Sequence, residues 1–163
     1  MDENKPLEQA QQRDVVTIKQ VSSGRFLVGQ YRGDWNVVTS DKISPSGDDP
    51  KWIRTSQGAG IYTFHKLFRI QQGTGSHERY IDAHEIAEKD FDVVTREKQT
   101  SDKTQLWQLI PKGGDVFEIM QVSSGRFMDA HEIPEMKYRV VTRPRQHNPT
   151  QLWKVTASSL DTS

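Results

Sequence analysis

The chain has 163 residues, with 22 Lys and Arg against 22 Asp and Glu, and no cysteine. A balanced charge speaks against a polyanion surface, so no nucleic-acid partner is expected. The missing cysteines exclude a disulfide framework, a thiol nucleophile and a thiolate metal site. The length suits one domain, and a hydrophobic fraction of 33% demands a small, aromatic-rich core. Residues 1–13 are polar and acidic and read as a flexible leader without the marks of a secretory signal. No apolar run reaches membrane-spanning length, so no membrane span is expected and the expected location is the cytoplasm. Short strands then follow in order over Val15–Val21, Arg25–Gln30, Asn36–Ser40 and Trp52–Thr55. A second set covers Leu67–Gln72, Arg79–His84, Asp92–Arg96 and Leu106–Ile110, and a third Val116–Val122, Arg126–His131, Arg139–Arg143 and Leu152–Val155. Residues 158–163 read as a flexible tail.

The chain repeats itself. VSSGRF occurs at Val21–Phe26 and Val122–Phe127, DAHEI at Asp82–Ile86 and Asp129–Ile133, and VVT at Val37, Val93 and Val140. TQLW occurs at Thr104–Trp107 and Thr150–Trp153, with Pro50-Lys51-Trp52 as a weaker counterpart. The period is about 50 residues, which divides residues 14–157 into copies near 14–60, 61–112 and 113–157. Four strands per copy with no helical stretch predict an all-β barrel or sandwich, and a threefold repeat favours closure because closure removes bare edges. Trp52, Trp107 and Trp153 are expected where copies meet. Phe26, Tyr80 and Phe127, with Ile18, Ile70 and Ile119, are expected in the core.

Three copies of four strands, each with an aromatic–aliphatic–Asp segment and a terminal Gln-x-Trp, resemble the ricin-B-type β-trefoil lectin family. The segments are Tyr80-Ile81-Asp82 and Phe127-Met128-Asp129, with Gln105-Leu106-Trp107 and Gln151-Leu152-Trp153. The resemblance implies a pseudo-threefold β-trefoil and non-catalytic carbohydrate binding without a cofactor, the partners being glycans or glycoconjugates. It also implies that Asp82 and Asp129 accept hydrogen bonds from sugar hydroxyls, while Val28 in the first copy cannot. The Gln105 and Gln151 amides are then structural or at the edge of the site. The family's aromatic platform falls at Thr95 and Thr142, and its Asn at Thr104 and Thr150, so the pocket departs from the family pattern. Phe91 and Tyr138, a few residues upstream, are the rings left to supply a platform.

The residues themselves add a repeated polar set. His84, Glu85 and Arg96 accompany Asp82, and His131, Glu132 and Arg143 accompany Asp129. Alternate residues of a strand share a face, so Asp82 and His84 are expected to point together, with Arg96 reaching them across the hairpin. This set serves either as a structural network or as a cleft binding saccharide through charge-assisted bonds. If the carboxylates bind sugar, Asp82→Ala and Asp129→Ala should each remove one site and leave the fold intact. Two sites per chain would give avidity, which a homodimer would multiply. His84-Glu85-Ile86-Ala87-Glu88 and its third-copy counterpart only superficially match a zinc peptidase helix, because Pro134 breaks the helix such a site needs. No nucleophile elbow or phosphate loop is present. The alternative function is a protein-interaction trefoil, an inhibitor or cytoskeletal cross-linker, using unshared loops such as Ser44–Lys51 and Pro144–Pro149.

Overall fold

Runs of β-branched and aromatic residues, each ended by Gly, Ser, Asn or Asp, form twelve antiparallel strands in the computed structural model, which describes residues 12–31, 35–44, 47–69, 76–101 and 103–158. They are β1 (Arg13–Gln20), β2 (Phe26–Gly29), β3 (Val37–Ser40), β4 (Lys51–Ser56), β5 (Ile61–Arg69) and β6 (Ser76–Ala83). Then come β7 (Val93–Arg96), β8 (Trp107–Gly113), β9 (Val116–Gln121), β10 (Phe127–Ala130), β11 (Val140–Arg143) and β12 (Trp153–Ser158). Strands thus begin and end one residue outside the expected domain limits. The rest of the leader and tail lies outside the described residues.

Pairing closes a ring. β1 pairs β4, β4 pairs β5, β5 pairs β8, β8 pairs β9, β9 pairs β12, and β12 returns to β1. The six strands form a barrel, which leaves no bare edge in its wall. Three hairpins, β2–β3, β6–β7 and β10–β11, spring from β1, β5 and β9. They touch one another through single bridges, Asn36 to Val94, Asp92 to Val141 and Arg139 to Val38. Inside lies one apolar cluster containing Ile18, Phe64, Ile119 and the three tryptophans. Trp52, Trp107 and Trp153 are fully buried, and their indole N–H groups donate to the carbonyls of Leu27, Ile81 and Met128 at 3.0, 3.1 and 3.0 Å. The same residue makes the same bond at three places, so the barrel is held at three equivalent points. Each bond removes the cost of burying a polar N–H.

Two sequence expectations change. The fifth strand starts at Ile61 rather than Leu67, immediately after Gly58-Ala59-Gly60, because Ile61–Phe64 is itself a β-favouring run that pairs with β4 and β8. That start puts Phe64, fully buried, at the register of Ile18 and Ile119; Ile70 lies outside the described residues. Phe26 is half-buried, whereas Tyr80 and Phe127 are buried. The Ser-Ser-Gly turns place Gly24 and Gly125 at φ +71° and +72°, which only glycine adopts without strain. After each DAHE segment the chain makes a single 3-10 turn, Ala87–Lys89 and Pro134–Met136, and Pro134 sits at its first position, where a missing N–H costs nothing.

Candidate functional site

The Val-Val-Thr strands β3, β7 and β11 are preceded in all three copies by an aromatic and a polar residue: Trp35-Asn36, Phe91-Asp92 and Tyr138-Arg139. Each aromatic adopts a left-handed backbone conformation, φ 57°, 53° and 53°, which costs a non-glycine residue energy and needs surrounding contacts to hold it. Those contacts come from the next copy. Arg79 lies over the Trp35 ring at 3.8 Å, Arg126 over Phe91 at 3.6 Å, and Arg25 over Tyr138 at 3.6 Å. Each arginine also donates to the hydroxyl and carbonyl of a buried threonine, Thr95, Thr142 or Thr39. The amides of the same threonines donate to the carbonyls of Trp35, Phe91 and Tyr138 at 3.0–3.1 Å. Three aromatic–arginine–threonine clasps therefore link the copies in a cycle. Thr95 and Thr142, which stand where the resembled family has its platform, are clasp residues. Phe91 and Tyr138 each have one face covered by a guanidinium.

Across the hairpin from Thr95 and Thr142, in the second and third copies, lie the two DAHE segments. Asp82 is fully buried, and its carboxylate accepts from the Ala83 amide at 2.7 Å and from the Gln105 side-chain amide at 3.0 Å. Asp129 is 3% exposed, accepts from the Ala130 amide at 2.7 Å and lies 3.8 Å from Arg143 Nε. Gln105 also donates to the Glu97 carbonyl, and Gln151 donates to the Pro144 carbonyl and accepts from the Gln146 amide. The carboxylates are thus inward-facing, with the histidines in front of them. Glu85 and Glu132 turn the other way, to accept from the hydroxyls of Ser123 and Ser22 in the following copy.

Arg96 donates to His84 Nδ1 at 3.0 Å, which leaves the ring proton on Nε2. Burial, then the Arg96 charge, holds this imidazole below its ordinary pKa, so it is neutral at pH 7. His84 and Arg96 line a cleft of about 290 Å³ with Trp35, Arg79, Lys89 and Asp92. Burial pushes the Asp92 carboxyl upward, with Arg139 opposing, and its Oδ1 has no hydrogen-bond partner among the described residues. In the third copy, Arg143 again approaches His131 Nδ1, at 3.4 Å, and His131 Nε2 stands 3.1 Å from Asp90. Arg139 lies 3.8 Å from Asp90 and 3.7 Å from Asp92. Asp34 stands at the sequence register of Asp90 and lies outside the described residues.

The structure therefore joins His84 with Arg96, Asp82 with Gln105, and Asp129 and His131 with Arg143. It separates Glu85, Glu132, Phe91 and Tyr138 from these groups. Sequence reasoning missed Trp35, Arg79, Lys89 and Asp92. The signal for three of them was the threefold register itself, an arginine before each of Phe26, Tyr80 and Phe127, and an aromatic–polar pair before each Val-Val-Thr.

No protein-family model matches the sequence, and no curated protein matches it. Solved structures do share the fold. The designed threefold-symmetric protein ThreeFoil aligns with a TM-score of 0.62 at 16% identity, over 87% of this chain and 97% of its own. The β-trefoil BEL aligns with a TM-score of 0.62 at 13% identity, over 89% and 93%. A Polyporus squamosus lectin, bound to a Neu5Ac-α2-6-Gal-β1-4-GlcNAc epitope, aligns with a TM-score of 0.64 at 21% identity, over 89% of this chain and 49% of its own. In some longer matches this chain spans only 30–37% of the other, 30% for an exo-β-1,3-galactanase from Clostridium thermocellum. The chain is an all-β protein with the β-trefoil fold. Among the described residues no helix is long and apolar enough to cross a membrane.

Proposed function

We propose that this chain is a non-catalytic saccharide-binding protein, a ricin-B-type β-trefoil of three pseudo-symmetric copies, with its sites on the second and third hairpins. The observation that carries the reading is the 290 Å³ cleft at the second hairpin, which gathers cationic donors, the Asp92 carboxylate and an aromatic edge. That volume is near the lower end of ligand pockets, about 300 Å³, and suits one sugar unit. A sugar diol donates and accepts at once. Asp92 supplies the acceptor, and the His84 Nε2–H with the Arg79 and Arg96 guanidinia supply donors. Asp82 acts from behind by fixing Gln105 and the end of β6, and Asp129 does the same through Ala130 and Arg143. The fold shared with a saccharide-bound lectin supports the class of ligand. The third hairpin offers His131 and Arg143 on the same plan, with Asp90 and Arg139 occupying part of the place.

A glycan array identifies the ligand, and calorimetry on His84→Ala and Arg96→Ala tests the site. Arg96→Ala should weaken binding about 10–100-fold, the loss of one charge-assisted bond of about 1.5–3 kcal/mol, and His84→Ala, which removes a neutral donor worth about 0.5–1.5 kcal/mol, about 2–10-fold; both should leave the circular dichroism unchanged. An array without a hit, with pull-down of a polypeptide that depends on Ser44–Lys51 or Pro144–Pro149, would replace this reading by the protein-interaction one.

A further inference from the structure

The registers of the second and third copies can be matched residue by residue. His65 faces Tyr80 across β5–β6, and Met120 faces Phe127 across β9–β10, so Thr63 holds the place of Glu118. Tyr80 faces Arg96 and Phe127 faces Arg143, so Lys98 holds the place of Arg145. In the third copy that place is filled. Glu118, 1% exposed, accepts from Arg145 at 2.6 and 3.2 Å and lies 3.5 Å from Lys112. Arg145 holds its carboxyl below the ordinary range.

In the second copy Thr63 stands in place of the carboxylate, Lys98 in place of Arg145 and Gln57 in place of Lys112. A cleft of about 570 Å³ opens there, walled by Arg13, Gln57, Thr63, His65 and Lys98 among others. The Lys98 ammonium lies 5.9 Å over the Tyr80 ring, and among the described residues it has no ion-pair partner. His65 is buried, its ring tilted against Tyr80 with centroids 4.7 Å apart, and its buried Nδ1 has no hydrogen-bond partner among the described residues. Glu78 is the acid on the wall; it is exposed and its carboxylate stands 3.5 Å from His65 Nε2, leaving the Lys98 side of the cleft to an incoming anion.

We propose that this cleft, between the first and second copies and at the root of the second hairpin rather than at its DAHE segment, binds the carboxylate of an external ligand in the place that Glu118 occupies in the third copy. Lys98 and Arg13 receive the carboxylate, and Gln57, Thr63 and the neighbouring Gln99 and Thr100 meet hydroxyl groups beside it. The ligand class is a small hydroxylated carboxylate, an acidic sugar unit or a free hydroxy acid. The site does not rest on saccharide binding at the hairpins.

The test is an NMR titration of the full chain with D-glucuronate, lactate and D-glucose, following the His65 ring and the Thr63, Lys98 and Thr100 amides. Glucuronate should shift these signals saturably. Tighter binding of glucuronate than of lactate assigns an acidic sugar, and equal binding assigns a free hydroxy acid. Thr63→Glu, which puts a tethered carboxylate into the cleft as in the third copy, should weaken either ligand at least 10-fold. Lys98→Gln should do so as well, and serves if the first variant does not fold. Binding of glucose as tight as that of glucuronate, no saturable shift with either acid, or full affinity in a folded Thr63→Glu chain would overturn the proposal. His84→Ala should leave this titration unchanged, which separates its outcome from that of the hairpin site.

Discussion

The second and third copies carry the same DAHE, Val-Val-Thr-Arg and Thr-Gln-Leu-Trp segments, yet they present different surfaces to a ligand. Three registers account for the difference. Where the third copy has Glu118 the second has Thr63, and a filled ion-pair network becomes a cleft. Arg139 in the third copy stands at the register of Asp92 in the second. Across the boundary of the second and third copies it meets Asp92 and Asp90. Across the boundary of the first and second, Asp92 and Asn36 hold those registers, no such ion pair can form between them, and a cleft lies there. The third difference is Lys66, which occupies the register of Gln20 and Gln121. The two glutamines are fully buried and donate to the carbonyls of Thr150 and Thr104 at 2.9 Å. Lys66 makes the matching bond, to the Asp49 carbonyl at 2.8 Å, with a buried ammonium whose desolvation lowers its pKa to about 8. The lesson is that repeated segments build the scaffold and the unrepeated residues between them open or close the sites.

The largest effect is expected from restoring the glutamine. Lys66→Gln should raise stability at pH 7, by up to about 3 kcal/mol if the whole desolvation penalty is removed, since each pKa unit is worth about 1.4 kcal/mol. The pH dependence provides the control. Below about pH 8 Lys66 is charged in both the folded and the unfolded chain and the penalty is in force. Between about 8 and 10.5 the unfolded chain holds the proton more tightly, so stability of the parent should rise with pH and level off above 10.5. Melting curves against pH should show this alkaline rise in the parent and not in Lys66→Gln.

Next in size is Asp82→Ala. It leaves the buried Gln105 amide short of one acceptor, and unfolding in urea should show a loss of about 1–3 kcal/mol. Asp129→Ala should lose less, because Gln151 is held by Pro144 and Gln146 rather than by Asp129. Both losses run against the sequence expectation of an unaltered fold. If stability is unchanged and only sugar affinity falls, ligands reach these carboxylates directly.

A smaller change sharpens the comparison of the boundaries. Asp90 is half-exposed, so Asp90→Ala should cost at most about 1 kcal/mol. It frees the His131 Nε2–H, and calorimetry with a ligand of the second hairpin should show the stoichiometry rise toward two sites per chain. The smallest effect belongs to acid pH. The His84 pKa is depressed by burial and Arg96, so its contribution is complete above about 6.5, the ordinary histidine value, and is lost as pH falls through the lowered pKa. His84→Gln should flatten this limb of the stability profile, measured by melting temperature between pH 7 and 4.

The alternation of apolar residues between turn residues marked every strand but the fifth near its place, and the tryptophans were readable as large buried rings, because strand periodicity and large apolar rings act over a few residues. The fifth strand was misplaced since its pairing partners β4 and β8 are distant in sequence. The DAHE residues were legible as a repeated polar set, but their division of labour was not. Asp82 and Asp129 face inward, His84 and His131 stand in front, and Glu85 and Glu132 reach into the next copy. Alternation along a strand gives a side for each residue; it does not say which side another copy covers.

The sequence by itself determined an all-β chain of three related copies, since repeated apolar spacing and turn residues admit few other ways to bury so small a core. Only the tertiary structure decided that Phe91 and Tyr138 are clasped by Arg126 and Arg25, and that clefts lie beside His84 and beside Thr63. The reason is physical. Each clasp and each cleft is made by residues from different copies, and whether two charges meet or leave a gap depends on a separation that closure of the barrel alone fixes.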